Sequence, residues 1–424
     1  MHQDSLTSQE SQSPDAHFLG IRQRSLDLIE GFSAEDLQIQ SMPDASPGKW
    51  HLAHTTWFFD HFILRSHQHN YRPFDNRFDY LFNSYYDAVG SRHARPERGL
   101  LSRPSLQQVL DYRNQVDLAI TELLEKHGDN SALQTLVVTG LHHEMQHQEL
   151  MLTDLKHALS RNIFALPEHK ASARNGATIE SRFIRYYESI TRIGANDEGF
   201  SYDCEKPKHR VFLEPYELRN TLITNREWLQ FMADEGYQNP TWWLSDGWFY
   251  CQKAQWRAPL YWREHQDGWE EMTFEGYQPV VLDAPVCHIS YYEADAFCRW
   301  AGWRLPTEYE WEHSVRSAGK SHGHFAEQTP WHPQPPTSET EGLCQAQGTV
   351  WEWTSSAFSP YPGFQPLQGA LGEYNGKFMA NQFVLKGGSC ATPAEQMRFS
   401  YRNFFHPYQR WQFSGVRPAR NIDL

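Results

Sequence analysis

Sixteen tryptophans are distributed so unevenly along the 424 residues that two domains with different packing habits are expected. Only Trp50 and Trp57 precede residue 200, and the other fourteen lie from Trp228 onward. The tryptophan-poor part has helical periodicity, with candidate helices over 16–32, 48–66, 105–127 and 131–160. Pro104 and Ser105 suit the start of the third of these, and Gly128 suits its end. Four such helices make a bundle, and bundles place metal sites between facing helices. Residues 67–103, from SHQHNYRPFDNRFDY to RHARPERGLLSRP, form a connection long for a compact bundle and rich in aromatics and arginine, which points to function. From about residue 180 the chain turns to Gly, Pro, Trp and short apolar runs, with one clear helix, SYYEADAFCRWAG (290–302). A loop-dominated α+β domain is expected there. The polar stretch ALPEHKASARNGATIESRF (165–183) marks the join, giving domains 1–170 and 171–424.

Charge and composition exclude several classes. A net charge of −14, from 38 basic against 52 acidic residues, argues against a nucleic-acid partner. The opening MHQDSLTSQESQSPDAHF lacks the apolar core of a secretory signal. No run approaches the roughly 18 apolar residues of a spanning helix, so no membrane partner is expected. The six cysteines form no C-x-x-C pair, as in a reduced, cytoplasmic protein.

LHHEMQHQEL (141–150) contains a literal H-E-x-x-H and also reads as H-x-x-x-H-x-E. Helical residues four apart lie about 6 Å apart along the axis on one face, so His143 and His147 can share a metal ion. Two ligands are too few, and a third must come from another segment. KWHLAHTTWFFDHF offers His51, His54 and His61, of which His54, followed by Trp57 and Phe58, suits a bundle interior. An isolated buried histidine is more often a hydrogen-bonded core residue, and imidazole accepts zinc, copper, nickel or iron. The residues alone therefore leave the metal and its third ligand open. In a zinc hydrolase Glu144 would be the general base. The extended metzincin spacing fails, because Leu150 replaces its glycine and Thr153 its last histidine.

KWHLAHTTWFF, FNSYYDAVGSRHARPERG and LHHEMQHQEL together resemble the sulfoxide synthases of ergothioneine biosynthesis, the EgtB family, over nearly the whole chain. GWRLPTEYEWE (302–312), GTVWEWTSS (348–356), VLKGGSC (384–390) and FSGVRPAR (413–420) resemble the signature blocks of formylglycine-generating enzymes. The resemblance implies an N-terminal DinB-like four-helix bundle and a C-terminal C-type-lectin-like domain, together an α+β fold. It implies iron(II) held by His54, His143 and His147, with Glu149 behind a ligand ring or in a helix salt bridge. Tyr85 and Tyr86 match catalytic tyrosines, and Arg95 and Arg98 match the arginines that bind the thiol substrate. Gln146, Asn403, Phe404 and Phe405 match positions for hercynine, the Nα-trimethyl betaine of histidine, whose quaternary ammonium aromatic faces attract.

Formylglycine-generating enzymes use a cysteine pair after the GGS segment, whereas only Cys390 stands here. The second domain is therefore expected to be reused as a substrate wall. The implied reaction joins hercynine to a thiol with O2 and yields a sulfoxide. Phe405 stands where relatives accepting γ-glutamylcysteine carry an acid, which favours free cysteine. The alternatives are a selenoneine synthase joining hercynine to a selenosugar, a zinc hydrolase built on HEMQH, and a non-enzymatic module that binds a small ligand through its C-terminal domain.

Overall fold

The computed structural model describes residues 13–162, 179–266, 268–319, 323–337 and 342–422. The join expected at 165–183 lies outside the described residues up to position 178. The chain divides into two units, Met1–Leu155 and Lys156–Leu424.

The first unit is helical: α1 (Pro14–Asp27), α2 (Gly48–Phe58), α3 (Arg65–His67), α4 (Phe78–Phe82), α5 (Leu106–His127) and α6 (Ser131–Leu159). Every residue of α2 is buried, as a helix reading KWHLAHTTWFF requires. It runs on through a π-helical turn, Phe59–Leu64, into α3, so the expected helix 48–66 is one continuous helical run. Helix α5 begins with a capping box, in which the Ser105 hydroxyl accepts from the Gln108 amide and the Gln108 side chain accepts from the Ser105 amide. Gly140 lets α6 approach α2's continuation closely, since a Cβ there would meet the Phe59 ring at 2.7 Å. The connection 67–103 holds α4 and a 3-10 segment, Arg95–Leu100, so its lack of periodicity reflects short elements.

The second unit is built from small sheets. Strands β1 (Phe183–Tyr186), β4 (Tyr216–Arg219) and β12 (Ala419–Asn421) form one, in the order β1-β4-β12. β2 (Ser189–Ile193) pairs with β3 (His209–Leu213), and β5 (Trp262–His265), β6 (Gly268–Thr273) and β7 (Gly276–Pro279) make a meander. β8 (Trp351–Ala357), β9 (Phe383–Lys386), β10 (Asn403–Phe405) and β11 (Ser414–Gly415) lie in the order β10-β9-β8-β11.

Helices α7 (Asn225–Ala233), α8 (Ser245–Lys253), α9 (Tyr291–Trp300) and α10 (Glu308–Ala318) accompany them. One core cluster gathers Leu213, Tyr216, Leu218, Trp311, Val315 and Ala419. The loops are pinned by buried ion pairs, among them Arg402–Glu308, Arg410–Glu293 and Arg417–Glu352. All six cysteines are buried thiols outside any disulfide, Cys390 among them. Among the described residues no helix is long and apolar enough to cross a membrane.

Candidate metal centre

Helix α2 contributes His54, and α6 contributes His143 and His147 four residues apart on one face. One nitrogen from each ring lies within 4.8 Å of the others. The Nε2 atoms of His54 and His143 are 3.1 Å apart. His54 Nδ1 donates to the Phe82 carbonyl at 2.6 Å, which leaves its Nε2 as a lone pair aimed at the cluster. Burial drives the pKa of all three rings down, that of His143 to about 3. Converging neutral imidazoles repel one another through their lone pairs unless a cation lies between them. This donor set therefore fits a transition metal held by three nitrogens with further positions open.

Aromatic rings enclose the cluster. Trp50 stacks on His54 at 4.6 Å and 12°, and Trp57 lies near parallel to the same ring at 5.8 Å. The Arg98 guanidinium covers the Trp50 ring, 3.4 Å from its centroid. Arg98 is 2% exposed, donates to the Ser46 and Ser84 hydroxyls at 2.9 and 3.0 Å, and leaves its Nε without a hydrogen bond. No carboxylate among the described residues forms an ion pair with it. Burial and the neighbouring charge of Arg95 push its pKa well below the usual arginine value. A buried cation of this kind, with no carboxylate partner, has the chemistry to receive an anion.

Arg95 is exposed, and its Nη2 donates to the Asp44 carbonyl at 2.5 Å. Tyr86 is fully buried, with its ring 5.0 Å from Phe62 and 5.9 Å from Trp57. Tyr85 is half-buried, and the two tyrosine hydroxyls are 3.5 Å apart. Asn83 fixes this turn by accepting from the Tyr86 amide and donating to its carbonyl. Gln146 is half-buried on α6 between His143 and His147.

Glu144 faces away from the imidazoles. Arg22 and Arg113 donate to its carboxylate at 2.7 and 2.6 Å, and the Ser25 hydroxyl donates as well. Burial raises its pKa, but Arg113, Arg22 and Ser25 more than reverse this and bring it to about 2. A carboxylate so held cannot take a proton from water near neutral pH, which removes the support for a zinc hydrolase. Glu149, expected behind a ligand ring or in a helix salt bridge, is buried on α6; the second nitrogens of His54 and His147 are met by the Phe82 carbonyl and by His51.

Asn403, Phe404 and Phe405 stand in the second unit on β10, half-buried and paired with Leu385, Val384 and Phe383 of β9. Phe404 stacks on Phe358 at 4.0 Å and 11°, so packing already occupies one of its faces. Sequence reasoning missed Asp154, Ser46 and the Phe82 carbonyl, and left His51 without a role. A partial signal was present, because Asp154 lies seven residues beyond His147 on the same face of α6.

Residues 17–151 match the DinB superfamily, and residues 188–422 match the sulfatase-modifying factor enzyme 1-like domain. A hercynine oxygenase of Mycobacterium tuberculosis is 31% identical over 432 residues, covering 96% of this chain and 98% of that protein. This chain belongs to the hercynine oxygenase family. A second hercynine oxygenase, from Mycolicibacterium thermoresistibile, is 30% identical over 431 residues, covering 95% of this chain and 93% of that protein. The formylglycine-generating enzyme of Streptomyces coelicolor is 28% identical over 287 residues, covering 54% of this chain and 85% of that enzyme. Membership in the hercynine oxygenases makes the chain an oxygen-dependent oxidoreductase built from a helical DinB domain and a formylglycine-generating-enzyme-like domain.

Proposed function

We propose that this chain binds iron(II) through His54, His143 and His147 and joins hercynine to a thiol, with free cysteine as the favoured partner. The observation that carries this reading is the meeting of three imidazoles, those of His54 and His143 buried and that of His147 half-buried, in a unit that also buries the unmatched guanidinium of Arg98. In the balanced reaction the S–H and a ring C–H are lost and a C–S bond forms. One atom of O2 ends on sulfur and the other leaves as water. A bound iron(II) would supply the electron transfer to O2 and favour the thiolate form of the sulfur.

The remaining work falls to the protein. Arg98 holds the carboxylate of the thiol, and its burial makes that charge pair stronger than it would be in water. Tyr85 and Tyr86 hold a proton on a phenolic oxygen, with Tyr86 kept dry by Trp57 and Phe62. Gln146 offers its amide group to the betaine; in the second unit, taken by itself, the amide of Asn403 and the faces of Phe404 and Phe405 have the chemistry that suits a quaternary ammonium betaine. The apolar Phe405 offers no charge to the α-ammonium of a γ-glutamyl group. Trp50 and Trp57 exclude water from His54 and hold its ring plane.

Anaerobic reconstitution with iron(II), followed by admission of oxygen, tests the reading through mass spectrometry of the products. Hercynine with cysteine should give the sulfoxide faster than hercynine with γ-glutamylcysteine, and oxygen uptake should require both substrates. His54→Ala should bring oxygen consumption and sulfoxide formation to background. Turnover surviving that substitution would show the ligand assignment to be wrong.

A further inference from the structure

Behind the ring of His147 stands a second buried pair, His51 and Asp154, which lies outside the three-imidazole cluster. His51 Nδ1 is 2.8 Å from His147 Nδ1, and His51 Nε2 is 3.1 Å from Asp154 Oδ2. Both residues are buried, at 3% and 5% exposure. Asp154 Oδ2 also accepts the Ser46 amide hydrogen at 2.7 Å, which fixes that oxygen as an acceptor. We propose that His51 and Asp154 are positioning residues that lock His147 into the tautomer and ring orientation needed to bind the metal. This rests on the metal-centre reading above.

The tautomers follow in sequence. Asp154 Oδ2 accepts, so His51 Nε2 carries a hydrogen and its Nδ1 is a lone pair. That lone pair requires a hydrogen on His147 Nδ1. His147 Nε2 is then a lone pair, available to the point that the other two rings face. The opposite assignment would set the lone pair of His51 Nε2 against the carboxylate oxygen. The residues come from two helices already in register: His51 is one turn before His54 on α2, and Asp154 is two turns after His147 on α6. His54 is oriented differently, by a single neutral carbonyl. The rings of His54 and His147 therefore have unequal support, and that of His147 ends on a charged group.

The test uses the full chain and cobalt(II) as the probe, with affinity read by chelator competition and geometry by the visible ligand-field bands. His51→Leu removes both hydrogen bonds. His51→Gln can restore both, since its amide oxygen accepts from His147 and its NH2 donates to Asp154. Partners behind metal-bound histidines are typically worth about 10–100-fold in affinity. The Leu variant should therefore bind cobalt roughly 10–100-fold more weakly, with shifted bands, while the Gln variant stays within about threefold of wild type.

Metal-free melting temperatures separate positioning from a fold defect. If the Leu and Gln variants both weaken binding in step with lost thermal stability, the role is structural and the inference fails. Should the Leu variant not fold, Asp154→Asn, a neutral acceptor of the same shape, should weaken binding several-fold, and unchanged affinity there overturns the inference. Unchanged cobalt affinity in His51→Leu overturns it alone, whereas no cobalt binding by wild type overturns the metal-centre reading as well.

Discussion

In the helical unit Arg98 is buried against the Trp50 ring and two serine hydroxyls, with no ion pair to a carboxylate among the described residues. In the second unit Arg402, Arg410 and Arg417 are buried to a similar depth, each against its own glutamate. Residue type and burial are the same; what differs is whether the charge is matched. A matched buried pair adds little net stability but is costly to break, so it serves to fix loops. A buried cation with no anion lowers stability and is retained where binding needs it. The same contrast separates Glu144, gripped by two guanidiniums, from the three imidazoles of the site, which converge without a carboxylate among them. Depth of burial alone thus does not distinguish Arg98 from the arginines of the second unit, and lack of a carboxylate partner does.

The largest expected effect tests the matched side. Arg402→Met leaves Glu308 buried without its partner and should cost about 3–5 kcal/mol, read as a fall in the denaturant midpoint of the second unit. A cost below about 1 kcal/mol would mean that these pairs do not hold the loops. The same substitution at the unmatched cation should go the other way. Arg98→Met should leave metal-free stability unchanged or slightly raised, while the KM for cysteine rises roughly thirtyfold, equivalent to about 2 kcal/mol for a lost charged hydrogen-bonded contact. A variant that loses stability without a change in KM would place Arg98 among the structural arginines.

The smallest effect is in pH dependence. Glu144 is held below its ordinary pKa in the folded chain, so its contribution is complete above about pH 4.5 and is lost as pH falls toward 2. Glu352 is shifted the other way, upward by burial despite Arg417, so acidification relieves a cost there. Hydrogen exchange corrected for intrinsic rates should show a slope of up to about 1.4 kcal/mol per pH unit in the helical unit that Glu144→Gln removes. Glu352→Gln should change the slope of the second unit with the opposite sign. Slopes of the same sign would erase the distinction between the two glutamates.

Much of the helical unit could be read from spacing. Ser105 and Gly128 bracket α5 as the cap rules require, and the i,i+4 step brings His143 and His147 to one face. Which histidine joins them was not legible in that way. His51, His54 and His61 share one short segment, and only the resemblance chose among them.

The direction of Glu144 depends on Arg22 and Arg113, which reach it from two other helices. Local pattern carries no record of such contacts. The burial of Arg98 likewise depends on the 3-10 segment that lays it over Trp50. In the second unit α7, α8 and α10 escaped notice because helices of 9 to 11 residues with aromatics on several faces show little periodicity. Two of them were nonetheless announced, by the capping boxes Thr224–Glu227 and Thr307–Glu310.

Ser46 joins two chains of contacts that are otherwise separate. Its amide donates to Asp154, and its hydroxyl accepts from Arg98. Through one serine the guanidinium proposed to grip the thiol's carboxylate is thus connected to the ring of His147. Thermodynamic reciprocity then governs both ends: any factor by which an anion at Arg98 alters metal affinity equals the factor by which the metal alters the affinity for that anion. Titrating either component in the presence and absence of the other measures one coupling constant twice, and a value of unity would mean that the serine transmits nothing.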